Sequence, residues 1–267
     1  MKSTTTNTNQ LKNDLKYRCI PTGINRLDQA IEGYQLPSFS IIGGASGSFK
    51  SRFAWTKAVN LSLCNQSVAF ISSENSDNNI ARELSAIRGG ILTDSLVCPS
   101  GKEISIMKLQ NFDFHVLCHP RMKAEDAILC VEYAARAGAG VIIFDSLNDI
   151  LPEEELSNPA QLQLAKSILD ELKELVTQHN IALICTARLR TGVGAQLPST
   201  RHNLKWAGLL DYLADRVLML ESSGKKIPTG YNDDVYFPVN VQIEKNRFGL
   251  TSDLELKFDP NSALVYS

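Results

Sequence analysis

The chain has 267 residues, of which 43% are hydrophobic and 21% charged, and this balance predicts one folded α/β domain with a large core. The formal net charge of -2 excludes a globally basic coat for nucleic acid, although a local basic loop stays compatible with it. Six scattered cysteines without a C-x-x-C pair predict reduced, mostly buried thiols in a cytoplasmic protein, not a zinc site or a disulfide framework. The absence of a signal peptide and of a long apolar stretch predicts neither export nor membrane insertion.

Residues 1–19 are rich in Thr, Asn and Lys and are predicted to form a disordered tail or linker, whereas residues 20–267 are predicted to form the domain. Ile24, Leu27 and Ile31 recur at helical spacing and predict a short helix that ends at Gly33.

Strands and helices alternate through the middle of the chain. Short apolar runs predict buried strands at 39–42, 67–72, 114–117, 141–145 and 181–186. Helical periodicity predicts helices at 52–63, 76–88, 124–137 and 159–179. Consecutive strands are predicted at 216–221, 235–244, 253–258 and 264–266. The pattern indicates a mostly parallel central sheet flanked by helices, extended by C-terminal antiparallel strands, with ligands at the carboxyl ends of the parallel strands.

A Gly-rich stretch between a predicted strand and a predicted helix is typical of a phosphate-binding P-loop, whose backbone N–H groups point at phosphate oxygens. The predicted nucleotide-binding residues are Gly44, Ala45, Ser46, Gly47, Ser48, Phe49, Lys50 and Ser51. Lys50 is expected to reach the terminal phosphates, and the Ser51 hydroxyl to hold Mg²⁺. Phe49 replaces the glycine of the usual pattern, so a Cβ and a ring occupy a position where the backbone normally approaches a phosphate. The alternative is a plain Gly/Ser turn.

Two carboxylates follow predicted strands at the same end of the sheet as the P-loop. Asp145 ends the apolar strand 141–145, which is the Walker B pattern, and is expected to organise Mg²⁺. Glu74 follows the strand 67–72 and is expected to orient and deprotonate the attacking water. The alternatives are a turn-capping aspartate and a solvated loop glutamate.

Lys245 and Arg247 are two residues apart on an extended segment and therefore point to the same side. They are expected at the sheet edge, at the opposite end from the P-loop, where they suit a catalytic finger supplied to a neighbouring subunit's nucleotide. The alternative is a basic hairpin tip, which the residues alone favour.

A cationic segment without acidic residues follows the strand 181–186 and runs from about residue 188 to 205. A loop of this kind suits contact with the phosphate backbone of single-stranded DNA without sequence specificity. The predicted DNA-binding residues are Arg188, Arg190, Arg201 and Lys205. The alternative is an ordinary solvated loop.

Taken together, these segments resemble the RecA-like motor domain of the hexameric DnaB-family replicative helicases and of its relative RadA, from Ile20 to the C-terminus. Residues 70–75 resemble the helicase segment with the catalytic glutamate, and residues 141–147 resemble Walker B. Residues 203–218 are similar to the segment before the last core strand, and residues 256–259 to the terminal strand. The pentapeptide Lys-Asn-Arg-Phe-Gly at 245–249 matches the RadA signature and fits the helicase pattern Lys-x-Arg-x-Gly.

The resemblance implies a RecA-like P-loop NTPase with ATP and Mg²⁺ as cofactors and single-stranded DNA as a partner. It also implies a homo-oligomeric ring or filament, hexameric as in the helicases, that works with replication or recombination proteins. The implied function is an ATP-dependent DNA helicase or translocase. The alternatives are a RadA-like branch-migration ATPase and a degenerate nucleotide-binding adaptor without significant turnover.

Two departures from the family pattern bear on turnover. Phe49 interrupts the P-loop, and Arg188 aligns with the position where the helicases usually carry a glutamine that senses the γ-phosphate. The sequence also lacks the primase-binding domain of the helicases and the zinc finger and protease-like domain of RadA, so we expect a bare motor domain.

Overall fold

The computed structural model describes residues 19–76, 78–80, 91–98, 100–109, 112–153, 158–190, 197–222, 224–225, 227–228, 235–259 and 264–266. The strands are β1 (Cys19–Ile20), β2 (Tyr34–Gln35), β3 (Ser38–Gly44), β4 (Val68–Ser72), β5 (Ile91–Val97), β6 (Glu103–Leu109), β7 (Phe114–Cys118), β8 (Val141–Asp145), β9 (Ala182–Arg188), β10 (Arg216–Ser222), β11 (Ile227–Pro228), β12 (Val235–Asn246), β13 (Asp253–Asp259) and β14 (Leu264–Tyr266). The helices are α1 (Asn25–Ile31), α2 (Lys50–Leu63), α3 (Ala124–Arg136), α4 (Leu147–Ile150), α5 (Pro159–His179) and α6 (Ala207–Leu213), with a 3₁₀ turn at Arg201–Asn203.

One sheet runs through the described part of the chain in the order β14-β13-β12-β10-β3-β9-β8-β4-β7-β6-β5, with β11 beside β12. The strands from β10 to β7 in this order are parallel to one another. Antiparallel strands extend the sheet on both sides. The predicted α/β fold, with a mostly parallel sheet and C-terminal antiparallel strands, is confirmed.

Helices cover both faces of the parallel strands, which explains why those strands are apolar on both faces. Residues of α3, α5 and α6, such as Val131, Leu169 and Leu210, build a core on one face. Residues of α1 and α2, such as Leu27 and Phe53, build a second core on the other face. Since the P-loop connects β3 to α2, its position is fixed by the central strand and by a helix of the second core.

The predicted elements mostly agree with the structure: β8 and α5 have the predicted bounds, and β3 and β9 differ by at most two residues at each end. The hairpin of β5 and β6 was not predicted, because β5 is largely exposed and mixes polar with apolar residues. The predicted tail lies outside the described residues up to residue 18. Most of the helix predicted at 76–88 lies outside them as well.

The six cysteines are thiols. Cys98, Cys118, Cys130 and Cys185 are buried, in agreement with the prediction of mostly buried thiols, whereas Cys64 is exposed where α2 ends. Within the described residues, none of the helices has both the length and the apolar character needed to cross a bilayer.

Lys57 is an unusual member of the second core. Its side chain is fully buried on α2, and its Nζ has no hydrogen-bond partner among the described residues. The ammonium lies 4.8 Å from the centre of the Tyr34 ring and 5.1 Å from that of Phe53. Desolvation lowers the pKa of Lys57 to about 7, although Asp28 acts in the opposite direction.

Lys57→Met should stabilise the protein at pH 7 and flatten its pH dependence. Between the folded pKa of about 7 and the unfolded pKa of about 10.4, the unfolded chain holds a proton that the folded chain has released. Stability therefore increases with pH across this window, by at most about 1.4 kcal/mol per pH unit from this group. Urea denaturation at pH 7 and pH 9 measures the effect, with exposed Lys166→Met as the control. Parallel pH profiles for wild type and Lys57→Met would contradict the depressed pKa.

Candidate nucleotide site

The P-loop is a tight turn between the end of β3 and the start of α2. A Cβ at Gly44 would lie 2.5 Å from the Leu220 carbonyl oxygen and 2.5 Å from Ser48 Oγ, so the backbone requires glycine there. Gly47, at φ 77°, adopts a left-handed conformation that glycine accepts without strain. Glycine at these two positions therefore allows the tight turn between β3 and α2.

Lys50 and Ser51 begin α2 and face the cavity enclosed by this loop. Lys50 Nζ donates to the carbonyl oxygen of Ala45 at 2.6 Å and lies 3.5 Å from Ser48 Oγ, so the ammonium curls over the loop. Burial lowers the pKa of Lys50 to about 8, and nearby Asp145 partly offsets this effect. Ser51 Oγ donates to Asp145 Oδ1 at 3.2 Å.

Asp145 ends β8 and is almost completely buried, with 1% exposure. Its Oδ1 accepts hydrogen bonds from Ser51 and from the Thr186 hydroxyl on β9, whereas its Oδ2 has no hydrogen-bond partner among the described residues. Desolvation raises the pKa of Asp145, opposed by the Thr186 and Ser51 hydroxyls. A buried carboxylate oxygen without a partner, beside a serine hydroxyl, fits Mg²⁺.

The oxygens of Ser51 and Asp145 suit a metal ion that takes the rest of its ligands from water and phosphate. Among the described residues, there is no group of three or more His, Cys, Asp or Glu side chains that could hold a metal. Mg²⁺ usually binds to one or two protein oxygens and completes its shell with waters and phosphate oxygens. Ser51 and Asp145 are therefore sufficient to bind Mg²⁺ only when a phosphate is also present.

Glu74 follows β4 and forms an ion pair with Arg188 at the end of β9. Glu74 Oε1 also accepts from Ser146 Oγ at 3.4 Å. The Arg188 backbone N–H donates to Asn148 Oδ1 at 2.6 Å, and its guanidinium lies 4.0 Å from Asp149 Oδ1. The structure thus places Arg188 inside the candidate nucleotide site. The sequence assigned this residue to DNA contact, although the family resemblance also aligned it with a γ-phosphate-sensing glutamine.

A cavity of about 400 Å³ joins these groups at the carboxyl edge of the parallel strands. Lys50, Ser51, Glu74 and Asp145 all line it, together with Arg188. Sequence reasoning missed Thr186, Ser146 and Asn148. Of these, Thr186 carried a usable signal, because it lies near the carboxyl end of a predicted core strand.

Phe49 lines the same cavity, but aromatic partners hold its ring. The residue has a left-handed backbone with φ 64°. Its ring stacks on Phe258 of β13 at a centroid distance of 4.2 Å and lies 5.4 Å from the Phe237 ring. The ring that the sequence places near the phosphates therefore also links the P-loop to the C-terminal strands.

Lys245 and Arg247 lie at the other end of the sheet from the P-loop. Lys245 is paired with Val217 near the start of β10, whereas Gly44 is paired with Leu220 towards the end of that strand. Val217 and Leu220 are three residues apart, so about 10 Å of strand separates Lys245 from the P-loop end of the sheet. Arg247, whose backbone N–H donates to the Asp215 carbonyl oxygen, lies about 16 Å from that end. Strand β12 lies between β10 and β13, but its pairing with β13 ends at Gln242, so Lys245 and Arg247 lie at the end of the β12–β13 hairpin.

The remaining cations of the predicted DNA-binding segment lie at the base of one loop and largely face acidic partners. Arg190 and Lys205 flank the Leu189–Leu204 bridge that closes the loop base. Lys205 Nζ lies 2.6 Å from Glu153 Oε2, and Arg201 pairs with Asp211 at 3.2 Å. Residues 191–196 lie outside the described residues. Carboxylates from elsewhere in the chain thus pair with cations whose own segment contains no acidic residue.

Phe49→Gly should lower thermal stability and leave ATP affinity within about threefold. The change removes the ring contacts with Phe258 and Phe237, and glycine adds conformational freedom to the unfolded chain. Relief of the positive φ offsets part of this loss. Thermal unfolding and titration with a fluorescent ATP analogue give both quantities, and Phe258→Ala is the matched control outside the P-loop. A rise in ATP affinity of tenfold or more would show that the ring does crowd the phosphates.

Comparison with known sequences relates the chain to replicative helicases. The family model described as the DnaB-like helicase C-terminal domain matches residues 19–265. The chain is 24% identical over 257 residues to the replicative DNA helicase DnaB of Geobacillus stearothermophilus, and 23% identical over 257 residues to the replicative DNA helicase DnaC of Bacillus subtilis (strain 168). Each alignment covers 90% of this chain and 54% of the relative, so the chain spans about half the length of these curated relatives.

Two solved structures share the fold. A DnaB-like replicative helicase, described with its interactions with primase, has a TM-score of 0.67 at 17% identity, and the match covers 92% of this chain and 61% of the helicase chain. A second structure, described as an ATPase domain, has a TM-score of 0.67 at 16% identity, and the match covers 93% of this chain and 90% of that domain. The fold is therefore that of DnaB-like helicase ATPase domains, and with the family match over residues 19–265 the chain belongs to the DnaB-like helicase C-terminal domain family.

Proposed function

We propose that this chain is the ATP-hydrolysing motor of a DNA helicase or translocase that acts on single-stranded DNA in replication or recombination. The observation that carries the proposal is the convergence of Lys50, Ser51, Glu74 and Asp145 around one cavity at the carboxyl edge of the sheet. We place the protein in the cytoplasm, where its six thiols stay reduced.

Each group in the cavity has a role that its geometry suits. The triphosphate of ATP offers Lys50 charged acceptors in place of the Ala45 carbonyl oxygen. Ser51 and Asp145 would hold Mg²⁺, which neutralises charge that develops on the transferring phosphoryl group. Glu74 would orient the attacking water and accept its proton.

Arg188 restrains Glu74 in this arrangement. The Arg188 guanidinium and the Ser146 hydroxyl both donate to Glu74 Oε1, so this oxygen is already engaged and is less free to bind a water molecule. This ion pair favours a slow basal rate, and it is the observation that supports the second candidate, a nucleotide-binding adaptor with little turnover. The pentapeptide at 245–249 keeps a RadA-like branch-migration ATPase as a third candidate.

The positions of Lys245 and Arg247 support an active site completed between subunits. About 10 Å of strand separates Lys245 from the P-loop of the same chain, and about 16 Å separates Arg247 from it, towards the opposite end of the sheet. A head-to-tail contact brings a neighbour's P-loop to them, and its repetition gives a ring or a filament. We propose a homo-oligomer, hexameric as a ring, with Arg247 and Lys245 acting in trans and with replication or recombination proteins, such as the primase of the solved relative, as partners.

Single-stranded DNA should accelerate ATP hydrolysis, and Arg190→Ala combined with Lys205→Ala should weaken DNA binding uniformly across sequences. Removal of two phosphate contacts should make the slope of log K against log salt shallower by about 1.4, at about 0.7 per contact. Steady-state hydrolysis with and without DNA, and binding titrations at several salt concentrations, measure these effects. Lys50→Ala, which should not bind a fluorescent ATP analogue, is the control for hydrolysis.

Arg136→Ala combined with Lys166→Ala is the matched control for charge, because both side chains are exposed on helices away from the loop. An unchanged salt slope in the Arg190 and Lys205 variant would mean that DNA binds elsewhere. Turnover below detection in the wild type, with nucleotide binding intact, would favour the adaptor.

Arg247→Ala should leave ATP binding nearly intact and reduce hydrolysis by about a thousandfold, because a finger stabilises the transition state more than the ground state. Mixing Arg247→Ala with Lys50→Ala should restore part of the activity, since a mixed interface can pair an intact P-loop with an intact finger. Each variant alone is the control. An inactive mixture in which the two proteins demonstrably co-assemble would overturn the in-trans role.

A further inference from the structure

Asp215 is a buried carboxylate at the junction of α6 and β10, with 7% exposure. Its Oδ2 accepts from the backbone N–H of Phe39 at 2.8 Å and from Lys173 Nζ at 2.8 Å. Its Oδ1 accepts from the Arg247 guanidinium at 3.1 Å. One side chain therefore joins helix α5, the start of β3 and the segment that follows β12.

The contacts of Arg247 hold its guanidinium in place but occupy only some of its N–H donors. A second guanidinium nitrogen donates to the Tyr212 carbonyl oxygen at 2.9 Å, and the Arg247 backbone N–H donates to the Asp215 carbonyl oxygen at 2.9 Å. An arginine side chain has five N–H donors, so these two side-chain contacts leave three for a phosphate. The side chain is 47% exposed, so those donors have access to a ligand from outside the subunit.

We propose that Asp215 is a positioning residue that holds Arg247 in the orientation needed at the neighbouring subunit's nucleotide; this rests on the proposed in-trans role of Arg247. The Asp215 backbone N–H also donates to the Phe39 carbonyl oxygen at 2.7 Å. Arg247, the proposed finger for the neighbouring subunit, is thus linked through Asp215 to the first residues of β3. This strand ends in the subunit's own P-loop.

The negative charge of Asp215 is the property that matters. An asparagine in its place keeps an oxygen that can accept from the Phe39 N–H, but it no longer attracts the guanidinium by charge. Lys173 shares the same carboxylate from α5 and does not touch Arg247 through any contact that the structure gives. Lys173 and Arg247 can therefore be substituted separately to distinguish their contributions.

Asp215→Asn should lower kcat for ATP hydrolysis by about tenfold to a hundredfold, the range expected when a catalytic group is displaced. The KM for ATP should stay within about twofold, because the P-loop of each subunit is unchanged. Lys173→Met is the matched control, with turnover close to that of the wild type. Mixing Asp215→Asn with Lys50→Ala should restore activity, as it should for Arg247→Ala.

The double variant Asp215→Asn with Arg247→Ala separates positioning from a merely structural role. If Asp215 acts through Arg247, the double variant hydrolyses ATP as slowly as Arg247→Ala alone. Losses that multiply, or a wild-type kcat for Asp215→Asn, overturn the inference. If Asp215→Asn does not fold, Asp215→Glu, which keeps the charge but displaces it by one methylene, takes its place in the same cycle.

Failure of the proposed function gives a different result. If Arg247→Ala itself hydrolyses ATP at the wild-type rate, the finger role is wrong and the role of Asp215 falls with it. If Arg247→Ala is slow and Asp215→Asn is normal, the finger stands and only the positioning role is removed.

Discussion

The candidate site depends on one buried carboxylate at the carboxyl edge of the sheet. Asp145 receives hydroxyl groups from the P-loop helix and from strand β9, so its Oδ1 joins three elements at one point. Burial disfavours its charge, and the hydroxyls together with the Lys50 ammonium compensate only in part. Its second oxygen has no partner among the described residues. The fold thus holds a charge that a cation would stabilise further.

The sequence predicted the parts of this fold that depend on continuous apolar runs. Strands β3, β4, β8 and β9 are buried on both faces, so their hydrophobic character alone identifies them. The β5–β6 hairpin escaped prediction because only Ile91 and Leu96 of β5 are partly buried against the two cores, and the exposed residues between them interrupt the pattern. A local sequence pattern does not identify a strand whose stability comes from pairing with a neighbouring strand.

The sequence predicted which charged residues lie together in the candidate site, but it did not predict the contacts between them. Lys50, Ser51, Glu74 and Asp145 belong to recognisable local motifs, and the sheet brings them together as expected. The Glu74–Arg188 ion pair joins residues 114 positions apart, and Thr186 meets Asp145 only because β8 and β9 are neighbours. The residues alone assigned Arg188 to a basic loop, because a sequence shows a cation without the carboxylate that faces it; only the family resemblance aligned it with a residue of the nucleotide site.

The depressed pKa of Lys50 would link the binding of a phosphate group at this loop to the uptake of a proton. With a pKa of about 8 in the free protein, a sizeable fraction of the lysines is neutral in mildly alkaline solution. A phosphate beside the amine favours the charged form and raises that pKa, so binding draws a proton from the solvent. The contribution of Lys50 to the affinity for a phosphate ligand would then be greatest below pH 8 and would fall above it. The same desolvation that prepares the lysine to meet a phosphate thereby couples occupancy of the loop to the acidity of its surroundings.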